Sequence, residues 1–281
     1  MSICYLNGTW LELAEARVSV LDRGFIFGDG VYEVIPAPAG RPFGLAEHLE
    51  RLARSLHATS IAAPMSAAAW AELILELIRR NGGGDVAIYL QVTRGVAERD
   101  HAFPPGVAPT VFAMCKPLPV AQGLVCVSAI TLPDNRWARC DIKSTSLLAN
   151  VLLRNVAVRR GCYEALLVRD GCLTEGAASN VFVVHGGRVR TPPLGPTLLA
   201  GVTRGLLIDA LHAAGGAVEE CAVGADELVE ADEIWVTSSS RDLLCVSVLD
   251  GKKVGDGEHY PRAAAALDAL AARRARALSA P

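Results

Sequence analysis

The chain has 281 residues, which is enough for one large domain or two modest ones with a buried core. Its hydrophobic fraction of 51% and charged fraction of 20% argue against disorder, and its net charge of -3 gives no electrostatic reason to expect nucleic acid or an anionic membrane as a partner. The N-terminus lacks a secretory signal, no apolar run approaches the roughly 20 residues of a bilayer span, and the eight cysteines contain no Cys-x-x-Cys pair. We therefore expect a cytoplasmic protein with reduced thiols and no metal site.

The first part of the chain alternates between strand and helix patterns. Residues 3–20 predict a hairpin of two strands around the turn Asn7-Gly8. Apolar spacing predicts an amphipathic helix over residues 45–58, and a second helix begins at the cap Ser66 and ends at Asn81-Gly82. Three further strands are predicted over residues 31–37, 86–93 and 110–116.

Two features of this part bear on a binding site. Gly24, Gly28 and Gly30 fall within seven positions and predict a tight loop where backbone or a ligand approaches closely, although their spacing is not that of a dinucleotide fingerprint. Arg51 lies off the apolar stripe of the first helix. On that pattern alone, a solvated surface charge is the simpler interpretation of this arginine.

A cluster of cations follows the strand over residues 86–93. Arg94, Arg99 and His101 lie within eight positions, in a segment that becomes a loop at Pro104-Pro105. Clustered guanidinium groups with an imidazole suit the capture of a carboxylate or a phosphate. A charged surface loop is the alternative, and the segment alone does not decide between the two.

The best linker candidate lies within residues 117–123, where two prolines and a glycine interrupt the strand pattern, and we assign residues 118–123 as the linker. We place a domain boundary there, between a domain of residues 1–117 and a second of residues 124–281. The second domain is predicted to contain strands over residues 124–130, 163–169, 181–184 and 233–239, a turn at 170–171, and helices over 144–160, from 202 onward and over 261–280.

Lys143 and Glu175 are the candidate catalytic residues of the second part. A lysine forms an imine with an aldehyde cofactor, and a carboxylate can hold a pyridine nitrogen protonated. Downstream, a glycine turn opens a helix at Val202-Thr203, and a run of hydroxyls follows the last strand at residues 237–240. Both are suited to phosphate oxygens. Solvated charges and an ordinary helix start remain the alternatives for these residues taken singly.

The order of these motifs resembles the fold-type IV pyridoxal-phosphate enzymes, which include branched-chain and D-amino acid aminotransferases and aminodeoxychorismate lyase. The resemblance covers residues 2 to about 255 and rests on eight motifs in sequence, which makes chance a poor explanation. The motifs are Asp22-Arg23-Gly24-x3-Gly28-Asp29-Gly30-Val31-Tyr32-Glu33, His48-Leu49-Glu50-Arg51-Leu52, Asp141-Ile142-Lys143-Ser144, Gly161-Cys162-Tyr163-Glu164-Ala165, Thr174-Glu175-Gly176, Ser179-Asn180-Val181-Phe182, Gly201-Val202-Thr203-Arg204 and Val236-Thr237-Ser238.

The resemblance implies a fold and a set of site residues. The fold is α/β, with a small N-terminal domain, a larger C-terminal domain that has a barrel-like sheet, and pyridoxal 5'-phosphate in the cleft between them. Lys143 would bind the cofactor covalently and move a proton, Glu175 would face the pyridine nitrogen, and Leu199 would pack beneath the ring. The phosphate would be held by Arg51, Val202, Thr203, Ser238 and Ser239. For Arg51, a functional role now becomes the preferred interpretation.

The segment around Arg99 points to the substrate. Arg99 and His101 are similar to a pair in the D-amino acid aminotransferases that reaches across a homodimer and, with the residue matched by Tyr32, holds the substrate α-carboxylate. The resemblance thus implies ping-pong transamination of D-amino acids of the D-alanine type with 2-oxoglutarate or another 2-oxo acid, through pyridoxamine phosphate. The alternatives are a branched-chain or (R)-amine transaminase, or the lyase. Ala177-Ala178 in place of the usual serines, and Arg241 after the hydroxyl run, depart from the family pattern.

Overall fold

A computed structural model describes residues 2–119 and 123–279 and divides the chain into two compact units. Unit 1 contains residues 1–119 and 142–147, and unit 2 contains residues 120–141 and 148–281. The segment that carries Lys143 therefore belongs to the first unit, which the sequence-based division did not anticipate. The predicted linker lies partly outside the described residues, and its role as a linker stays a prediction. Among the described helices, none has the length and apolar character of a bilayer-spanning segment.

Unit 1 is built on an antiparallel sheet in the order β2-β1-β5-β4-β3. Its strands are β1 (Ile3–Leu6), β2 (Thr9–Glu12), β3 (Gly30–Ala37), β4 (Val86–Thr93) and β5 (Thr110–Pro117). The predicted hairpin at Asn7-Gly8 is confirmed, because β1 pairs with β2 and Asn7 has the positive φ of 48° that such a turn requires. Its second strand ends at Glu12 rather than near residue 20, because a 3-10 turn over Leu13–Glu15 follows it.

The glycine-rich segment contains a short helix, α1 (Arg23–Phe27), and is therefore not loop throughout. Asp22 begins the helix, since its carboxylate accepts a hydrogen bond from the Gly24 amide at 2.8 Å. Gly28 ends it with a left-handed φ of 65°. At Gly24, a Cβ would lie 2.2 Å from the methyl carbon of Thr93 on β4, so the close approach predicted for this segment is a backbone packed against a strand.

Two amphipathic helices cover one face of this sheet, and both follow the prediction closely. They are α2 (Leu45–Ala58) and α3 (Ala67–Arg80), and Ser66 caps α3 by accepting a hydrogen bond from the Ala69 amide at 3.2 Å. Their apolar stripes pack with the sheet into one core, which stabilises the unit by removing hydrocarbon from water. The most deeply buried side chains of that core include Ile35, Leu52, Ile74, Leu77, Ile88 and Leu90.

Unit 2 is built on a larger mixed sheet. Within residues 123–279 its path is β11-β10-β9-β12-β13-β6-β7-β8, with β14 paired to β13. The last strand, β8, is joined to β9 by a tight turn, so the sheet curls back on itself, and the expected α/β fold with a barrel-like sheet is confirmed. The strands are β6 (Cys126–Pro133), β7 (Glu164–Arg169), β8 (Cys172–Gly176), β9 (Asn180–His185), β10 (Arg188–Thr191), β11 (Val218–Glu220), β12 (Glu233–Ser238), β13 (Asp242–Leu249) and β14 (Lys252–Lys253).

Three helices complete unit 2: α4 (Leu148–Arg159), α5 (Val202–Ala213) and α6 (Pro261–Ser279). The helix predicted over residues 144–160 begins four residues late. Its first hydroxyls are used elsewhere, because Thr145 and Ser146 donate hydrogen bonds to the carbonyl of Gly28 at 2.9 and 3.0 Å. The predicted tail helix over residues 261–280 is confirmed up to Ser279.

Candidate active site

The Lys143 segment lies along the edge strand β3 of unit 1. The Tyr32 amide donates to the Lys143 carbonyl at 3.0 Å, and the Lys143 amide donates to the Ser55 hydroxyl at 3.3 Å. These bonds fix the backbone on both sides of the side chain. The Lys143 ammonium then lies 4.3 Å from the centroid of the Tyr32 ring, within cation–π distance. The structure thus brings together two of the residues predicted for the site.

Arg51 is buried in unit 1, with a relative exposure of 4%, so the solvated interpretation is wrong. It projects from α2 toward Glu33 on β3, and its Nε and Nη2 donate to the two carboxylate oxygens at 2.8 and 2.7 Å. His48, one turn earlier on α2, contacts the same carboxylate through Nδ1 at 2.8 Å. The geometry is the bidentate fork that gives an arginine–carboxylate pair its directional strength.

The charges of this cluster are set by burial. Burial alone would raise the pKa of Glu33, but the charge and hydrogen bonds of Arg51, with the hydrogen bond of His48, lower it to about 2. Burial lowers the pKa of His48, and the charges of Arg51 and Lys143 act in the same direction, against the raising effect of Glu33. Glu33 is therefore an anion at neutral pH, and His48 is biased toward the neutral imidazole.

Arg99 and His101 lie on an exposed loop of unit 1, against one aromatic ring. The Arg99 guanidinium is 5.3 Å from the centroid of Phe27, and the His101 ring is 5.4 Å from the same centroid. Phe27 is the last residue of α1, so the glycine-rich segment supplies the platform for both cations. The loop therefore holds the two predicted substrate residues against the same ring.

Glu175 is a buried carboxylate of unit 2 that is held through both of its oxygens. One oxygen, Oε1, accepts from Arg136 Nη1, and the other, Oε2, accepts from the Asn180 amide group at 3.1 Å and from the Leu199 backbone amide at 3.0 Å. Asn180 also donates to the Leu199 carbonyl at 2.9 Å. Glu175 thus fixes the position of Leu199, and the structure brings together these two predicted residues.

Arg136 is itself part of a buried ion pair. Its Nε and Nη2 each donate to Asp134 at 2.9 Å, and Thr174 donates to the same carboxylate at 2.8 Å. Burial alone would raise the pKa of Asp134, but these contacts lower it to about 2. Burial works against the charge of Arg136, and the two neighbouring carboxylates nevertheless raise its pKa. Arg136 is therefore a permanent cation in contact with the Glu175 carboxylate.

The start of α5 and the end of β12 form the predicted phosphate-binding part of unit 2. Gly201 precedes the helix, and a Cβ there would lie 1.9 Å from Asn180 Oδ1, so only glycine fits. Val202 and Thr203 occupy the first helical turn, where backbone amides have no partner within the helix. Ser238 ends β12. Ser239 follows it in the turn.

One polar atom in this region suggests room for a ligand. The hydroxyl of Thr237 is buried, with 2% relative exposure of the residue, and makes no hydrogen bond to any residue that the structure describes. Buried hydroxyls normally have a partner. Thr237 pairs in register with Asn180 on β9, which adjoins Gly201. A phosphate ester at the α5 N-terminus fits this set of donors.

Sequence reasoning assigned no role to Glu33, His48, Asp134 or Arg136. The first two lie inside motifs that were identified, but only the folded pairing of α2 with β3 shows that they share an ion pair with Arg51. Asp134 and Arg136 lie between β6 and the lysine motif. Their i, i+2 spacing was the available signal, and it is too common to single out a site.

The fold, the Glu33–Arg51 cluster and the Glu175–Arg136 cluster together indicate a class of protein. The family model for class IV amino-transferases matches residues 30–249, and the chain belongs to that family. The motif resemblance is thereby confirmed at the level of the family.

Particular relatives narrow the comparison. The chain is 41% identical to D-alanine aminotransferase of Bacillus licheniformis over 257 residues, 91% of each chain. It is 38% identical to D-alanine aminotransferase of Staphylococcus aureus strain COL, covering 93% of this chain and 94% of the relative. Among solved structures, a branched-chain amino acid aminotransferase of Escherichia coli matches with a TM-score of 0.89 and 24% identity, covering 96% of this chain and 93% of that one. At that identity, the match shows the fold alone.

Proposed function

We propose that this aminotransferase uses pyridoxal 5'-phosphate to transfer the amino group of a D-amino acid, of the D-alanine type, to 2-oxoglutarate or another 2-oxo acid. The observation that carries the proposal is the placement of Arg99 and His101 on one Phe27 ring, because a guanidinium beside an imidazole suits a single carboxylate. The similarity to the two D-alanine aminotransferases supports a D-amino acid as donor.

The residues predicted from the sequence would hold the cofactor. Pyridoxal phosphate supplies a pyridine ring that withdraws electrons from the α-carbon of the bound amino acid. Glu175 would favour the protonated form of the ring nitrogen, and Leu199 would pack against the ring. The unpartnered hydroxyl of Thr237 supports a phosphate at the start of α5. The phosphate would be held by Arg51, Val202, Thr203, Ser238 and Ser239.

Lys143 would carry out the proton transfer. Its Nζ would hold the cofactor covalently and would accept the proton that the α-carbon of the substrate loses. The two backbone hydrogen bonds that fix this segment support the role, because a proton-transfer group must be positioned within hydrogen-bond reach. The cation–π contact with Tyr32 orients the amine before substrate arrives. Alternation between two half-reactions makes the kinetics ping-pong.

We also propose a homodimer in which Arg99 and His101 enter the partner's site and, with Tyr32, bind the α-carboxylate. Unit 1 exposes an apolar group close in sequence to Phe27, with relative exposures of 71% for Val20 and 72% for Phe25. Apolar side chains at such exposure are typical of a surface that a second subunit covers.

A cytoplasmic location is supported by the cysteines. All eight are free thiols, and Cys4, Cys140 and Cys245 are buried. Burial raises the pKa of each of these three thiols, which keeps them protonated and unreactive. Unpaired, inert thiols of this kind are typical of proteins that work in a reducing compartment.

A substrate panel tests the proposal. Purified enzyme with pyridoxal phosphate is assayed with D-alanine, L-leucine or (R)-1-phenylethylamine as the sole amino donor and 2-oxoglutarate as the acceptor. A separate assay contains aminodeoxychorismate. We expect D-alanine to give the highest kcat/KM. A higher value for L-leucine or the amine would replace the proposal with the branched-chain or (R)-amine activity, and release of pyruvate from aminodeoxychorismate would indicate the lyase.

The covalent role of Lys143 has its own test. Borohydride treatment of the loaded enzyme should attach the cofactor to a peptide that contains Lys143, as read by mass spectrometry. The Lys143→Ala variant should bind cofactor without this attachment and lose transamination. Attachment at another lysine in the parent enzyme would contradict the assignment.

A further inference from the structure

The glycine-rich motif contains charged residues that the proposed chemistry does not use. Asp29, which follows α1, accepts from Arg23 Nε at 2.8 Å. The same carboxylate accepts from Arg94 Nε at 2.7 Å and Arg94 Nη2 at 3.0 Å. Relative exposures are 3% for Arg23 and 7% for Arg94, so one carboxylate is shared by two buried guanidinium groups. We call Arg23, Asp29 and Arg94 the loop anchor.

Arg23 connects the anchor to the loop over residues 95–104. Its Nη1 donates to the Asp100 carbonyl at 2.5 Å and lies 3.4 Å from the Ala102 carbonyl. These two carbonyls are on either side of His101. The Arg23 amide also donates to the Gly95 carbonyl at 2.9 Å, at the beginning of the loop. One arginine therefore bonds the loop at its start and around its histidine.

Arg94 fixes the other end of the same loop. Its guanidinium stacks over Phe103 at 3.7 Å from the ring centroid. It also donates to the carbonyls of Thr59 and Ser60, at 2.7 and 2.9 Å, beyond the end of α2. Both ends of the segment that carries Arg99 and His101 are thus bonded to buried arginines, and Asp29 holds those arginines next to each other.

The electrostatics make Asp29 the central member. Two guanidinium groups this close repel each other unless an anion lies between them. Burial would raise the pKa of Asp29, but the hydrogen bonds and charges of Arg94 and Arg23 lower it, so the carboxylate is ionised at neutral pH. Without the charge of Asp29, the two arginines would separate, and the carbonyls of the loop would lose their donor.

We propose that the loop anchor is a positioning device for substrate binding: Asp29, through Arg23 and Arg94, holds Arg99 and His101 in the arrangement that captures the α-carboxylate. This inference rests on the proposed function of Arg99 and His101. The role assigned to Asp29 and Arg23 is positioning, because both oxygens of Asp29 accept from arginines and Arg23 Nε and Nη1 donate to Asp29 and to the loop backbone. They affect the affinity for substrate through the conformation of the loop over residues 95–104.

The main test compares Asp29→Asn with a matched control, Glu76→Gln. Glu76 is also shared by two arginines, Arg79 and Arg80, but it lies on α3 and has no part in the loop anchor. Asp29→Asn should raise KM for D-alanine about tenfold and leave kcat within about twofold, as a loss of carboxylate binding alone would do. Glu76→Gln should leave both unchanged. A normal KM in Asp29→Asn overturns the inference.

Hydrogen exchange provides a readout that is independent of turnover. In Asp29→Asn, amides of residues 95–104 should exchange about tenfold faster, while those of α2 and α3 keep their rates. The absorbance of bound cofactor should be that of the parent enzyme. Faster exchange throughout unit 1 would mean that Asp29 only stabilises the fold, and would also overturn the inference.

A double-mutant cycle with Arg99→Ala separates the inference from the proposed function. If Asp29 acts through Arg99 and His101, adding Asp29→Asn to Arg99→Ala should raise KM by less than it does in the parent enzyme, because only His101 remains to be displaced. Fully additive effects would overturn the positioning role. If Arg99→Ala alone leaves KM unchanged, the carboxylate assignment fails, and exchange of residues 95–104 still reports whether Asp29 orders the loop.

Arg23→Lys is the second variant, in case Asp29→Asn does not fold. Lysine keeps the charge beside Asp29 but has no planar fork with which to reach the carbonyls at 100 and 102 as well. It should produce the same KM-specific effect and the same local exchange, both smaller. A parent-like KM and exchange rate in a folded Arg23→Lys would count against the anchor.

Discussion

Glu33 in unit 1 and Glu175 in unit 2 are both buried carboxylates held by an arginine, but their second partners differ. Glu33 accepts a bidentate pair from Arg51 and a further bond from His48, so these donors come from one face of one helix. Glu175 has Arg136 on one oxygen and two neutral amide donors on the other. Both carboxylates are paired with a guanidinium, but the guanidinium contacts both oxygens of Glu33 and one oxygen of Glu175, whose other oxygen is oriented by neutral amides.

This difference suggests what each carboxylate does. A carboxylate paired face to face with a guanidinium mainly fixes that guanidinium, which in unit 1 is the proposed phosphate ligand Arg51. A carboxylate held at its edges by amides is preorganised for a cationic group that is not part of the chain. Substitutions of Glu175 should therefore affect catalysis most, and substitutions of Glu33 should affect stability and cofactor affinity.

The largest effect is expected for Glu175→Gln. A neutral amide cannot keep the ring nitrogen of the cofactor protonated, so kcat for D-alanine should fall by about 10²–10³-fold. The free energy of unfolding should fall by less than in Glu33→Gln, because Arg136 keeps its second carboxylate partner, Asp134. Steady-state kinetics and urea denaturation of the loaded enzyme measure the two quantities. A kcat close to that of the parent enzyme would remove Glu175 from the catalytic machinery.

Glu33→Gln should show the opposite pattern. Removing the anion leaves Arg51 buried without its counter-charge, and breaking a buried ion pair costs about 3 kcal/mol in the free energy of unfolding. The apparent Kd for pyridoxal phosphate should rise about tenfold, because Arg51 is no longer held in place. Denaturation of the apoenzyme and a cofactor titration provide the measurements.

Arg51→Lys sharpens the same comparison. It keeps one positive charge beside Glu33 but loses the bidentate geometry. We expect a smaller loss of stability than in Glu33→Gln and a comparable loss of cofactor affinity. If both variants bind cofactor as the parent does, the Glu33 cluster is structural only.

The two carboxylates also illustrate how far the sequence can be interpreted. Glu175 was predicted from a motif in which local order is enough, and β8 then places it beside Asn180 through a tight turn. Arg51 was ambiguous, because its partner is 18 positions away on another element. Arg136 was missed because its contact with Glu175 spans 39 positions. Periodicity reports which face of a helix is apolar, and it contains no information about a distant counter-charge.

The same limit applies to the secondary structure. Helices α2 and α3 were predicted to within a residue or two, since their apolar stripes and the Ser66 cap are local signals. The predicted start of α4 at residue 144 was wrong, because the hydroxyls of Thr145 and Ser146 donate hydrogen bonds to Gly28, more than 100 positions earlier. Strand β10 was not predicted. Its four residues alternate between arginine and a β-branched residue, but a run of four is too short to single out a strand.

Acidification should lower stability through Glu33 and His48. The folded pKa of Glu33, about 2, is below its ordinary value of 4.5, so the stability it contributes is present above pH 4.5 and is lost as the pH falls toward 2. The folded pKa of His48 is also lowered, so its contribution begins to fall once the pH drops below 6.5. By pH 3, about 1.5 units below the ordinary pKa, the loss from Glu33 should be about 2 kcal/mol. Denaturation midpoints between pH 7 and pH 3 measure it.

Glu33→Gln serves as the control for this pH dependence. The variant begins with lower stability at neutral pH, but it lacks the group that titrates, so its midpoint should fall less between pH 5 and pH 3. The part that remains reflects other low-pKa carboxylates, such as Asp134 in unit 2, whose folded pKa is also about 2. If the denaturation midpoints of parent and variant fall equally between pH 5 and pH 3, Glu33 does not contribute to the loss of stability in acid.

The smallest effect is expected for Glu233→Gln, which extends the comparison to a buried carboxylate with neutral donors. Glu233 accepts from the Trp235 indole at 2.8 Å and from the backbone amides of Arg262 and Ala263, at 2.9 and 2.8 Å, in the first turn of α6. It thus caps a helix from a neighbouring strand, and its charge interacts favourably with the helix dipole. Glutamine retains one acceptor, so the free energy of unfolding should fall by only about 1 kcal/mol, with kcat and cofactor affinity unchanged. A loss of stability as large as that of Glu33→Gln would show that neutral donors hold a buried anion as strongly as an arginine does. The proposed difference between Glu33 and Glu175 would then depend on geometry alone.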